Sequence, residues 1–97
     1  YKMKLLPDNV TAYKKTSEFD ETSAPKGLLK SHRTKAGVWG KIVVLEGQLK
    51  YTITEPKEEV VMLSDVLSGV VEPTIFHEVE PLGRVRFYVE FYRKELN

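Results

Sequence analysis

Short apolar segments of strand length, separated by glycine, proline or polar pairs, restrict the fold of this chain more than any other feature. The most apolar of them, Val38-Trp-Gly-Lys-Ile-Val-Val-Leu-Glu46, is rich in β-branched residues and stops at Gly47-Gln48. Leu49-Lys-Tyr-Thr-Ile53 then alternates apolar with polar. Two such runs across a two-residue break predict a hairpin. Further strands are predicted at Val10 to Lys15, Leu28 to His32, Glu59 to Leu63, Ile75 to Glu80 and Val85 to Arg93. Turns are expected at Glu55-Pro56-Lys57, Ser68-Gly69 and Pro81-Leu82-Gly83. Ser64-Asp-Val-Leu67 is too short for a stable helix and reads as a turn. Many short strands with little helix predict an all-β antiparallel sandwich or barrel, because doubling or closing a sheet removes the edges that invite aggregation.

No internal repeat, low-complexity tract or linker divides the chain, so residues 1–97 are expected to form one domain. A chain of this length buries roughly 65% of its unfolded surface. Lys and Arg total 15 against 14 Asp and Glu, a net charge of +1, which gives no field to attract nucleic acid or an acidic membrane. Cysteine is absent, which excludes a disulfide framework, a zinc–cysteine cluster and a thiol nucleophile. No apolar run approaches the ~20 residues of a membrane span and no charged-then-apolar leader opens the chain. The expectation is a soluble, cytoplasmic protein.

The C-terminal segment carries the clearest prediction of a site. With Pro81 to Arg84 as a turn, Val85, Phe87, Val89 and Phe91 share one strand face, and Arg86, Tyr88, Glu90 and Tyr92 share the other. Pairing about that turn sets His77 opposite Tyr88 and Ile75 opposite Glu90, so that His77, Tyr88 and Glu90 fall on one face. A register slip of one residue instead puts Phe87 beside His77 and turns Glu90 away. If the polar set lines the interior, the apolar stripe needs cover from another subunit or from the N-terminal strands Tyr1 to Leu6 and Val10 to Lys15, and a homodimer is expected.

The run from His32 through Trp39 to Leu49, with Pro73-Thr-Ile-Phe-His-Glu-Val-Glu80 and the closing Phe91-Tyr-Arg93, resembles the small cupin-like domain of TehB-type tellurite-resistance proteins, shared by YeaR-like proteins. The resemblance covers about Leu28 to Arg93 and implies a double-stranded β-helix, or jelly roll. Some members of that family place this domain before an S-adenosylmethionine-dependent methyltransferase domain. This chain has no Gly-x-Gly pair and no βαβ pattern for a nucleotide loop, so methyl transfer is not assigned to it. The cupin pattern implies metal ligands at His32 and at His77, the latter preceded by Gly69 and Pro73. Thr34 stands at the second position of the usual His-x-His, and Trp39 and Gly40 occupy the region of the usual carboxylate. A third ligand is sought in Glu90, preferred for its inferred face, or in Glu80, which lies on the face opposite His77 and could reach only through a bulge. Two imidazoles and a carboxylate would suit zinc, iron, manganese or nickel with positions open for a ligand.

Other residues have a bland reading beside a functional one. Trp39 could stack on a ligand at a pocket mouth, although a core or interface role is the better fit for a tryptophan in an apolar strand. Tyr88 and Tyr92 either offer hydroxyls to an oxyanion or pack between sheets. Lys26, Lys30, Arg33 and Lys35 could draw in an anion such as tellurite, but lysine-rich edges also block strand pairing. No serine lies in a Gly-x-Ser-x-Gly elbow, and the pair Glu78 and Glu80 reads as solvated carboxylates. Three functions remain open: a cupin-like domain binding a metal and a small anion or metabolite, a metal-dependent enzyme such as a dioxygenase or isomerase, and a metal-free dimerisation or regulatory module.

Overall fold

A computed structural model describes residues 5–24, 34–55 and 57–94. Among them are eight strands: β1 (Val10–Lys15), β2 (Phe19–Asp20), β3 (Val38–Glu46), β4 (Leu49–Ile53), β5 (Glu59–Leu63), β6 (Gly69–Val71), β7 (His77–Pro81) and β8 (Arg86–Lys94). They form two antiparallel sheets, one ordered β1-β8-β3-β6 with β2 also on β8, the other ordered β5-β4-β7. The described residues contain no helix. Strand alternation sends Ile42, Val44, Phe87 and Val89 of the first sheet inward to meet Leu49, Tyr51, Leu63 and Val79 of the second, with Val71 and Val85 completing the core. Phe87, Leu49 and Leu63 are fully buried, each worth about 1.5–3 kcal/mol by transfer from water.

Both predicted hairpins are corrected. β3 lies between β8 and β6, and β4 between β5 and β7, so Gly47-Gln48 carries the chain from one sheet to the other. Gly47 has φ +82°, and a Cβ there would collide with the Arg84 carbonyl oxygen and meet Val85 Cα at 3.0 Å. Only glycine lets the two inter-sheet crossings pass so closely. Likewise β7 pairs with β4 and β8 with β3, so the Pro81 to Arg84 segment is a second crossing. Its approach to the first is fastened by the Leu82 N–H donating to the Gln48 carbonyl at 3.1 Å.

The predicted strand at Ile75 begins two residues later, at His77, and the last strand runs one residue further along at each end. β2 and β6, of two and three residues, escaped sequence reading because neither is long enough to show a period. The predicted strand Leu28 to His32 lies outside the described residues, as do Tyr1 to Lys4. The short β2 is pinned to β8 by charge. Arg86 donates from Nε to Glu18 at 2.9 Å and from a terminal nitrogen to Glu46 at 3.3 Å, and Glu21 accepts from the Val85 N–H at 3.0 Å. The Glu18 carboxylate, and after it that of Glu46, raise the Arg86 guanidinium pKa further.

Candidate functional site

His77 opens β7 and, with Val79, points into the space between the sheets, while Glu78 and Glu80 point out. It is 3% exposed and is the one buried histidine, carboxylate or cationic side chain among the described residues. The turn before it is held firmly. Thr74 has φ 64°, an uncommon conformation for a β-branched residue. Its N–H donates to the Thr34 carbonyl at 3.2 Å, and the Phe76 carbonyl accepts from the Thr54 N–H at 3.0 Å. His77 Nδ1 lies 3.2 Å from the Ile75 carbonyl oxygen, which can only accept, so the proton resides on Nδ1. The ring meets Tyr51 edge to face at 5.7 Å between centroids, and Tyr51 in turn donates its hydroxyl to the Val70 carbonyl at 3.2 Å.

The imidazole borders a cavity that is otherwise nearly all hydrocarbon, lined by Thr34, Gly40, Val71, Val89, Phe91 and their core neighbours. The void is about 20 Å³, room for roughly one water. Gly40 widens it, since a Cβ at that position would press on Val71 Cβ at 3.3 Å. Thr34 is buried and donates its hydroxyl to the Val38 carbonyl at 2.7 Å. Sequence reading missed Tyr51 and the cavity side of Phe91, although the alternation of Phe87, Val89 and Phe91 carried the signal.

The expected partners of His77 are elsewhere. Tyr88, Glu90 and Tyr92 lie on the outer face of the first sheet, where Trp39 pairs with Tyr92 and Glu90 sits between Lys41 of β3 and Lys15 of β1. Tyr92 donates to Glu90 Oε1 at 3.2 Å, and burial followed by the Glu90 charge raises the Tyr92 pKa. The Lys15 ammonium rests 4.4 Å above the Tyr88 ring. Trp39 is half-buried on that outer face, and Glu80 lies on the outer face of the second sheet, paired with Lys50. The shared polar face of His77, Tyr88 and Glu90 is therefore corrected: Phe87 shares the interior with His77 and Glu90 is turned away. The two strands face each other across the sandwich instead of pairing. The apolar stripe of Val85, Phe87, Val89 and Phe91 is covered by this chain's own second sheet, which removes that argument for a second subunit. His32, Lys26, Lys30 and Arg33 lie outside the described residues.

Two packed antiparallel sheets enclosing the buried His77 at a small apolar cavity define an all-β sandwich-type domain. The family model of the TehB-like domain matches residues 14–89, and the chain belongs to that family, the TehB-type tellurite-resistance proteins. Two curated relatives, from two strains of Haemophilus influenzae, are named probable S-adenosyl-L-methionine-dependent methyltransferase TehB. They are 32% and 31% identical over 82 residues, 80% of this chain. The chain spans 29% of the length of each. The crystal structure of TehB from Haemophilus influenzae superposes with a TM-score of 0.82 at 27% identity, over 90% of this chain and 32% of that one. A crystal structure of a protein from Escherichia coli has the same fold, with a TM-score of 0.88 at 21% identity over 97% of this chain and all of that one.

The expected transition metal, whether zinc, iron, manganese or nickel, is corrected on two grounds. Among the described residues no group of three or more His, Asp or Glu side chains could hold an ion, Glu90 being on the wrong side of its sheet. The relatives are named for S-adenosylmethionine instead of a metal. No helix among the described residues is long and apolar enough to cross a membrane.

Proposed function

We propose that this chain is a small-molecule-binding β-domain of the tellurite-resistance family, a single cupin-like jelly roll that takes its ligand into the cavity beside His77. The nested pairing supports the jelly roll: β4 with β5, β3 with β6 and β1 with β8 enclose one another as the turns of a folded ribbon do. The observation that carries the binding role is the burial of one imidazole in a wall of Ile42, Val71, Val79 and Phe87. Such a site offers one directional polar group and much apolar contact.

Between the small anion and the metabolite expected from sequence, the lining favours the metabolite. A dianion such as tellurite would lose its hydration among hydrocarbon, with little beyond the Thr34 hydroxyl and the imidazole to replace it. A compact uncharged molecule would not. Because the void admits roughly one water, binding requires rim side chains, Phe91 first, to move aside. A cytoplasmic setting belongs to this reading, supported by the cysteine-free composition.

A second reading is favoured by the fixed hydrogen bond and ring contact of His77: a ligand-free module in which the imidazole completes internal bonding. Amide chemical-shift titration of the chain against small neutral metabolites, tellurite and S-adenosylmethionine separates the two. Expected are shifts at Thr34, Val71, His77 and Phe91 with a neutral ligand, lost in His77→Phe, which keeps an aromatic side chain but carries no ring nitrogen. No shift at these positions with any compound sinks the binding role. Shifts with S-adenosylmethionine confined to other residues would move the site away from this cavity, which is far too small for it.

A further inference from the structure

We propose that the edge of β5, unpaired among the described residues, is a self-pairing surface through which two copies of this chain join the sheets β5-β4-β7 into one continuous six-stranded sheet. Sheet edges are normally blunted by lysine, proline, bulges, inward charges or shortness. Among the described residues the other borders are blunted in these ways. β1 carries Lys14 and Lys15 and a register shift between Ala12 and Lys14. β2 and β6 are two and three residues long, and β7 ends in Pro81.

β5, Glu-Val-Val-Met-Leu, holds no lysine, proline or bulge, its one charge is Glu59 at the first position, and its register against β4 is unbroken from Glu59 to Leu63. Val60 and Met62 stand on the outer face 44% and 48% exposed, and Val66 in the loop beyond is 88% exposed.

The occupant is a second copy because the strand is complementary to itself. Antiparallel pairing about a two-fold axis at Val61 puts Val60 opposite Met62 of the other copy twice over, joining four exposed apolar side chains into one patch. Glu59 then faces Leu63 and Glu58 faces Ser64, so no like charges meet. The exposed Lys57 of each copy comes level with the exposed Asp65 of the other, one opposite-charge pair at either end of the seam. A five-residue seam is small beside the interface of a permanent dimer, so the association is weak and reversible.

Sedimentation equilibrium of the full chain across a wide concentration range tests this. Wild type is expected to show a monomer–dimer equilibrium, and Met62→Lys, at an exposed position that leaves the core intact, to weaken it about tenfold or more. Lys57→Glu and Asp65→Lys are each expected to weaken the dimer, and the double variant, which restores both pairs with reversed sign, to recover it. A chain monomeric at every concentration overturns the proposal, including the case in which another protein occupies this edge. So does a dimer that ignores Met62→Lys, or charge reversals whose effects simply add.

Discussion

Asp20 shows how a half-buried loop-side carboxylate can organise a segment. Its Oδ1 accepts from the Thr22 N–H at 2.8 Å, the Thr22 hydroxyl at 2.7 Å and the Ser23 N–H at 2.9 Å, closing the turn after β2. These donors hold its pKa at about 2 against an ordinary 3.8. A depressed folded value means that the unfolded chain binds more protons, so the contribution to stability is complete above the unfolded value and is lost as the pH falls toward 2. In Asp20→Asn the stability deficit relative to wild type should therefore be largest near neutrality and shrink from pH 5 to pH 2. Urea unfolding across that range checks it, and a deficit that does not vary with pH would mean that the carboxylate charge is not what closes the turn. Nothing in sequence marked Asp20, because its partners Thr22 and Ser23 are ordinary loop residues. His77 was singled out by its rarity and by family resemblance, yet alternation along its own strand said only that it shares a face with Val79. Which other strand that face would meet depended on sheet assignment, which no local pattern reports.

At the scale of elements, β3, β4 and β5 could be bounded residue for residue, since β-branched runs and alternation are local properties. Their partners could not. Gly47-Gln48 and Pro81-Leu82-Gly83 read as hairpin turns, and both are crossings between sheets. A two-residue link with a positive-φ glycine suits either, and only the long-range packing of one crossing on the other decides. This yields a prediction at three glycines. Gly47→Ala combines a left-handed backbone, worth about 1–2 kcal/mol, with a collision against backbone at Arg84 and Val85, and should cost clearly more than that. Gly37→Ala and Gly83→Ala share a similar φ, +81° and +84°, with nothing within 4 Å of the added Cβ, and should show the backbone cost alone. Equal urea midpoints for the three variants would remove the close crossing from this account of the fold.

For the whole molecule, the decisive property is that both sheets rely on one core. Neither buries its own apolar face: Phe87 and Val89 of the first are covered by Leu49, Tyr51 and Val79 of the second, and the chain passes between the sheets at β3 to β4, β5 to β6, β6 to β7 and β7 to β8. Contacts of that kind are long-range, so opening one sheet strips the other of its cover. Phe87→Ala removes the largest apolar side chain that is fully buried in the first sheet, at about 3–5 kcal/mol, a large part of the ~5–15 kcal/mol that holds a domain of this size together. The loss should appear in both sheets. Amide hydrogen exchange on the variant is expected to show protection falling by a similar factor in β3 and in β4, although the substituted strand touches only the first of them through hydrogen bonds. Protection lost from β1, β3 and β8 alone, with β4, β5 and β7 unchanged, would mean that the second sheet holds together without the first. The cavity at His77 would then be a seam between two independent units, and ligand entry would need only their separation instead of the movement of a few rim side chains.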